Sequence, residues 1–494
     1  MNNNQPEKKQ PNILFILSDD QGAWAMHNAG TPELCTPSLD RLAATGVKFD
    51  NFFCVSPVCS PARASLLTGR IPSAHGVLDW LRSGNLDRDR FEKQGKELVY
   101  GGGYSSEKKP IAYLEGQTAY TDLLAENGYT CALSGKWHLG DSVTPQHGFQ
   151  KWYVLGGGGC YYYHPDIAEN GDIRVEHGKY VTELLTDRAL CDLDELAGKE
   201  EPFYMAVHYT APHTPWGREH HPEKWTAYYE DCHFESLPNV PDHPNLLTGP
   251  VYGNGDRREE NLRGFSAAVS AMDEQIGRLL DRLEEKGLRE NTIVIFTSDN
   301  GQAMGHHGVW GKGNATFPMN MYNQAVKVPF LISCPGWIPQ GKVCGNLVSG
   351  YDVFPTILEL TGIPNPLAGE LPGRSFAGSI LGEELPEEEE VVVFDEYGPV
   401  RMICSREWKY VHRYPYGEHE LYHLSEDPEE NVNLYGRPEY EDMALTLRKK
   451  MEQWFLRYVN PETDGVKEGV TGSGQLCRAG IHADRTDVYP PVGK

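Results

Sequence analysis

Two short apolar runs constrain this chain more than any other feature. Ile13–Leu17 (ILFIL) leads into Ser18-Asp19-Asp20, and Thr292–Phe296 (TIVIF) leads into Thr297-Ser298-Asp299-Asn300. An unbroken apolar run bounded by polar residues suits a strand buried on both faces, as strands of parallel sheets are. Around these runs, helical and strand-like patterns alternate. Ser38–Thr45 and Tyr120–Asn127 read as helices, and Tyr129–Leu133 and Phe203–Tyr209 as strands. Phe265–Lys286 carries apolar residues at helical spacing and stops at Gly287, a C-cap residue. This rhythm predicts an α/β fold with a large, mixed but mostly parallel sheet between helices. After the Glu-rich stretch Glu383–Glu390 the texture changes. Val391–Phe394, Arg401–Cys404 and Trp408–Arg413 read as short strands, followed by a helix over Glu439–Tyr458. The expected division is a main domain over 1–385 and a smaller α+β subdomain (antiparallel sheet plus helix) with an extended tail over 386–494. Residues 83–117, with Gly101-Gly102-Gly103, read as a long irregular insertion of the kind that often carries function.

Charge narrows the function classes. Among 494 residues, Lys+Arg number 45 against 70 Asp+Glu, a formal charge of −25. That disfavours nucleic acid or an anionic membrane as the main partner, so an anionic substrate would need a local basic pocket. No apolar run approaches the ~18 residues of a membrane span. The opening MNNNQPEKKQPN lacks the apolar run of a secretory signal. The sequence as given therefore reads as cytoplasmic, with a removed signal left open. Eleven scattered cysteines with no CxxC pair argue against a disulfide framework or a structural zinc site. Most are expected to be small buried apolar residues.

The acidic pairs carry the first chemistry. The carboxyl ends of parallel strands line one edge of a sheet, where ligands bind. Asp19, Asp20, Asp299 and Asn300 can therefore converge although they are far apart in the chain. Three carboxylates and an amide oxygen are hard ligands, suited to Ca²⁺ or Mg²⁺. The second constellation is CSPARASLLTGR, Cys59 to Arg70. Pro61 suits the first turn of a helix, which puts Cys59 and Ser60 at a helix N-terminus, a place that favours anions. Arg63 follows one turn later and can face the same site; Arg70 reads as structural.

These residues resemble the type I, formylglycine-dependent sulfatase family of the alkaline phosphatase superfamily, whose signature is Cys-x-Pro-x-Arg followed by Leu-Thr-Gly-Arg. NILFILSDDQG, TPSLDRLAATGVKF, SGKWHLG, YTAPHTP, IVIFTSDNG and GVWGKG resemble further blocks of that family in its order, over residues 11 to about 435. The resemblance implies an alkaline-phosphatase-like fold and hydrolysis of a sulfate monoester to an alcohol and inorganic sulfate. It implies that Cys59 is oxidised to formylglycine by a maturation enzyme. A hydrated aldehyde offers an oxygen nucleophile to sulfur, and its second hydroxyl offers a way to expel sulfate afterwards. Asp19, Asp20, Asp299 and Asn300, with the modified Cys59, would ligate Ca²⁺, Mg²⁺ being the alternative. Arg63 would stabilise the hydrate. Lys136 and His138 alternate along GKWHLG, so both can point one way. His138 would be the general base, and His213 and Lys312 would hold sulfate oxygens and assist the leaving alcohol.

A phosphonate monoester or phosphodiester hydrolase of the same superfamily is one alternative, and an unmodified, non-catalytic pseudo-sulfatase is another. The sulfated alcohol is left open between sulfated carbohydrates and aryl or steroid sulfates, as is a homo-oligomer. Candidates for contacts to it are Trp80, an aromatic wall of Tyr161, Tyr162, Tyr163 and His164 after Gly156–Gly159, and the pair His306 and His307. The tail from Thr471 to Pro491 carries more apolar anchors than a flexible end needs. It is expected to pack back near the site, with Arg478 and Arg485 recruiting the anionic ligand.

Overall fold

The computed structural model describes residues 10–99, 104–247, 249, 253–383 and 392–492. Gly101–Gly103 and the Glu-rich stretch from residue 384 lie outside the described residues. Ten strands form one sheet: β1 (Asn12–Ser18), β2 (Val47–Phe53), β3 (Thr130–Gly135), β4 (Phe149–Leu155), β5 (Asp166–Glu169), β6 (Asp172–Val175), β7 (Phe203–His208), β8 (Thr292–Ser298), β9 (Lys327–Ser333) and β10 (Lys342–Ser349). Their spatial order is β10-β2-β9-β8-β1-β7-β3-β4-β5-β6. The central strands β8, β1, β7, β3 and β4 run parallel. Strand β9 is antiparallel to both of its neighbours, and β5 and β6 close the far edge as antiparallel additions.

Strand β1 shows why an unbroken apolar run was required. Ile13, Phe15 and Leu17 enter one core with Phe49, Phe330 and Tyr204. Leu14 and Ile16 enter the opposite core with Leu185, Phe265 and Ile276. The helices Val181–Leu196 and Arg258–Glu285 cover that second face. The latter helix begins seven residues before the expected Phe265, in a turn rich in charge whose Leu262 is nevertheless buried.

A second, antiparallel sheet comprises β11 (Val393–Tyr397), β12 (Val400–Cys404), β13 (Trp408–Arg413) and β14 (Glu420–His423). The helix Glu441–Tyr458 packs across it through Leu447, Met451 and Phe455. That core also takes in Val55, Ile71 and Tyr351, so the small sheet sits on the segments flanking the Cys59 helix. Strand β14 was not expected; four residues are too few to display an alternating pattern. The insertion builds a cluster of its own from Leu86, Phe91 and Tyr104 with Val143 and Ile173. All eleven cysteines are free and most are buried. Among the described residues, no helix is long and apolar enough to cross a membrane.

Candidate active site

Register places the site. Ser18 pairs with Ser298, Leu17 with His208, and His208 with Gly135. The chain therefore leaves β8, β1, β7 and β3 side by side at one sheet edge. Asp299 N donates to Ser18 O, Asp19 N to Ala211 O, and Lys136 N to His208 O, extending the pairing one step past the strands. The ends of these four strands deliver Asp299 and Asn300, Asp19 and Asp20, His213, and Lys136 with His138. Gly135 is required here: a Cβ on it would lie 1.9 Å from the His208 carbonyl oxygen. Strand β2 leads into the helix Cys59–Thr68, which is buried along its whole length, and Cys59 stands in its first turn as expected. Lys312 comes from the loop between β8 and β9 and brings Nζ to 3.8 Å from Cys59 Sγ.

The site is a buried array of opposite charges. Lys136 Nζ donates to Asp19 Oδ2 at 2.5 Å, and Lys312 Nζ donates to Asp20 Oδ1. Arg63 Nε donates to Asp299 Oδ2 at 2.8 Å, and its NH1 donates to Lys136 O. Burial works to raise the Asp19 and Asp20 carboxyls, but the cations outweigh it, chiefly Lys136 for Asp19 and Lys312 for Asp20, and both end below the usual range. Burial pushes the Cys59 thiol up, against the pull of Lys136 and Lys312. Asp20 and His138 both hold left-handed backbone, with φ of 65° and 55°, a conformation that non-glycine residues tend to adopt at functional sites. His138 thus sits on a bend rather than on an extended continuation of β3.

The donor set fits a hard divalent cation. Asp19 Oδ1 and Asn300 Oδ1 are buried without a hydrogen-bond partner. Asp19, Asp20 and His213 can offer ligand atoms all within 4.8 Å of one another. Three carboxylates already face three fixed cations, so a bound dication would leave the site net positive, as an anionic ester requires. Asp299 is more occupied than its neighbours: Oδ1 accepts from the Asp20 and Asn300 amides, and Oδ2 from Arg63.

The histidines differ in environment. His138 is buried, and its Nε2 donates to Leu81 O at 2.9 Å. Nδ1 is therefore the unprotonated nitrogen, and it is buried without a partner. Burial, reinforced by Lys136, keeps the ring neutral by holding its pKa well below the ordinary value. His213 has a side chain 20% exposed, the most open of the catalytic candidates. Its Nδ1 donates to Thr214 O, and its Nε2 lies 3.6 Å from Asp20 Oδ2.

The residues expected to contact the alcohol are mostly occupied otherwise. Tyr162 is fully buried, stacked on Tyr180, and its hydroxyl donates to His213 O at 2.7 Å. It supports His213 and presents no face to a ligand, which corrects the aromatic-wall expectation at that position. The glycines before it serve close approach: a Cβ on Gly158 would lie 2.0 Å from His138 Nε2, and one on Gly156 would lie 2.6 Å from the Tyr104 hydroxyl. Tyr161 is 45% exposed, and His164 is exposed with Nδ1 3.3 Å from His177 Nδ1. His306 Nδ1 donates to Ala303 O, and the His307 ring stacks on Tyr322 at 3.9 Å. Trp80 is half-buried, its indole N–H donating to Gly472 O.

That last bond belongs to the tail, which does pack back beside the site. Its arginines do not face outward as free cations. Arg478 pairs with Glu115 and Arg485 with Asp487. What the sequence reading missed is the polar lock between Gln475 and residues 76–82, with Asp79 beside it; its one sequence signal is Asp79, a lone acid between Val77-Leu78 and Trp80-Leu81.

Residues 11–363 match the Sulfatase family model, and residues 305–456 match the model described as N-sulphoglucosamine sulphohydrolase, C-terminal. The chain belongs to the sulfatase family, and it is a sulfuric ester hydrolase with the alkaline-phosphatase-like fold. It is 28% identical to an N-acetylglucosamine-6-O-sulfatase of Bacteroides thetaiotaomicron, over 94% of this chain and 89% of that one. It is 30% identical to an ulvan-active sulfatase of Formosa agariphila, over 91% of this chain and 82% of that one. A solved structure described as a complex with its substrate D-glucosamine-2-N,6-O-disulfate superposes with a TM-score of 0.72 at 26% identity, covering 93% of this chain and 100% of that one.

Proposed function

We propose that this sulfatase acts on a sulfated carbohydrate, with Ca²⁺ as its cation and a formylglycine made from Cys59 by a maturation enzyme. The observation that carries the cation is the pair of buried, unpartnered oxygens, Asp19 Oδ1 and Asn300 Oδ1. A cage of protein oxygens suits Ca²⁺ better than Mg²⁺, which prefers to keep several waters. Asp19, Asp20, Asp299 and Asn300 would hold the ion, with residue 59 beside them. When present, the cation and the hydrated aldehyde supply a polarised oxygen nucleophile for sulfur.

The remaining work falls to side chains of this chain. Lys136 and Lys312, now paired with Asp19 and Asp20, can turn their charge to sulfate oxygens once a cation holds the carboxylates. Arg63 keeps its NH2 buried without a hydrogen-bond partner, 4.0 Å from Asp19 Oδ1, and can steady negative charge at residue 59. His138 Nδ1, neutral and with its lone pair free, is the atom that would accept a proton. His213, at the open side, would deliver a proton from Nε2 to the departing alcohol. Of the expected alcohol contacts, the half-buried or exposed Trp80, Tyr161, His164, His306 and His307 remain candidates.

A carbohydrate is favoured because the relatives' names specify N-acetylglucosamine, ulvan and a glucosamine disulfate. The test is sulfate release across sulfated monosaccharides, glycosaminoglycan fragments, and aryl and steroid sulfates. Turnover of at least one sugar sulfate should exceed that of every steroid sulfate. Turnover of steroid or aryl sulfates alone would contradict the assignment. Phosphate and phosphonate esters of one chromogenic alcohol, run beside its sulfate, should be poorer substrates.

A further inference from the structure

We propose that Gln475, nearly 340 residues beyond His138 in the chain, is a positioning residue for that histidine. It rests on the reading of His138 as the proton acceptor. Gln475 is completely buried, and every polar atom it has is engaged. Its side-chain oxygen accepts from Leu78 N at 2.9 Å and Asp79 N at 3.4 Å. Its side-chain amide donates to Gly76 O at 3.1 Å and Cys477 O at 2.8 Å. Its backbone N–H donates to Trp80 O, and its carbonyl accepts from Arg82 N. The tail thus adds a single parallel bridge, Gln475 against Leu81, to the segment that follows the Cys59 helix.

That segment has two outputs into the site. Leu81 N donates to the hydroxyl of Ser60, next to Cys59, and Leu81 O accepts from His138 Nε2. The carbonyl decides which nitrogen of His138 carries the proton, and so leaves Nδ1 as the base. Residues 76–82 have no helix or sheet ladder of their own beyond the isolated bridge to Gln475. Val77, Leu78 and Leu81 are buried in the main core, and the backbone between them is held from the tail side by Gln475 and by Asp79, which accepts from Tyr397, Trp80 N and Gly474 N. Gly472 O ties the same strap to Asn314, and Asn320 holds Lys312 O.

Gln475→Ala is the test, with its folding and its conversion at residue 59 measured first. In protein carrying plain Cys59, imidazole ¹⁵N NMR should show His138 as one Nε2–H tautomer in the unaltered chain and as a mixture in the variant. In mature enzyme acting on nitrophenyl sulfate, kcat should fall about tenfold, the low end of what losing an outer partner of a functional histidine costs, and KM should fall with it, so that kcat/KM stays near the parent value. The first release of nitrophenol should keep its rate while sulfate release lags, because proton acceptance by His138 serves sulfate expulsion. Should Gln475→Ala fail to fold, Gln475→Glu keeps the two accepted bonds and loses the two donated ones, and is read the same way. An unchanged tautomer, or a loss in first-turnover nitrophenol release equal to that in sulfate release, would overturn the proposal. His138→Ala is the control: if it shows no lag, the role given to His138 fails, while the tautomer still decides the role of Gln475.

Discussion

Replacing Gly158 by alanine tests the placement of His138 from the opposite side of the ring. The added Cβ would lie 2.0 Å from Nε2, 2.4 Å from Cδ2 and 2.6 Å from Cε1, about 1.4 Å short of an ordinary 3.4 Å contact. Gly158 carries no left-handed backbone, and the three nearest atoms to the added Cβ all belong to the His138 ring. His138 is enclosed, and the nitrogen the new Cβ meets is the one that donates to Leu81 O, so a ring that yields strains that bond. A misplacement of about 1 Å at a reacting group costs on the order of 100-fold in rate. Overpacking of this size costs about 1–3 kcal/mol of stability, too little to unfold a chain with cores as large as these. We expect kcat on nitrophenyl sulfate to fall about 100-fold, with unchanged conversion at residue 59 and a modest drop in Tm. Gly157→Ala is the matched control, since the three nearest atoms its Cβ would meet belong to Tyr104, the closest at 3.0 Å, and it should stay near the parent rate. A Gly158→Ala enzyme with parental kcat would refute the contact and with it the fixed position of His138.

Asp20→Ala and Asp299→Ala should each lose the divalent cation, measured by elemental analysis, and turnover with it, while the small sheet stays folded by circular dichroism; normal metal content in both would contradict the ligand set. Lys312→Ala and His213→Ala should slow an alkyl or sugar sulfate more than nitrophenyl sulfate, because an activated phenolate needs less help to depart, and equal losses would indicate plain sulfate binding instead. His75 is buried with its pKa held down to about 3 by burial, and its Nδ1 accepts from Val77 N. A depressed histidine favours the folded state above the ordinary 6.5 and loses that contribution as pH falls toward 3. The stability advantage of the parent over His75→Gln should therefore shrink by about 1.4 kcal/mol per pH unit below 6.5, followed by urea unfolding at several pH values. A constant difference between pH 7 and pH 4 would contradict the neutral, buried imidazole.

The main sheet and the edge that carries the candidate residues were legible because parallel strands buried on both faces leave no alternation to misread. ILFIL and TIVIF could be little else, and their adjacency follows once both belong to one parallel sheet. Lys312 and His213 were not legible on that basis. They lie on irregular loops, where only the resemblance of whole motifs marks them. Tyr162 was misread because three successive tyrosines carry no signal of which one turns inward; burial and the carbonyl of His213 decide it. The pairing of Gln475 with Leu78 and Asp79 spans 397 and 396 residues. Polar groups that satisfy one another at such a distance leave no periodic trace, so the tail was readable only as better anchored than a loose end. Its arginines looked available in an acidic chain, yet acidic neighbours were there to pair with them.

The most direct test of the whole account is mass spectrometry of the tryptic peptide Phe49–Arg63 from preparations of graded activity. Formylglycine is expected at position 59, with the thiol sulfur replaced by an aldehyde oxygen, and sulfatase activity proportional to the converted fraction. A fully active preparation carrying only cysteine at position 59 would contradict it.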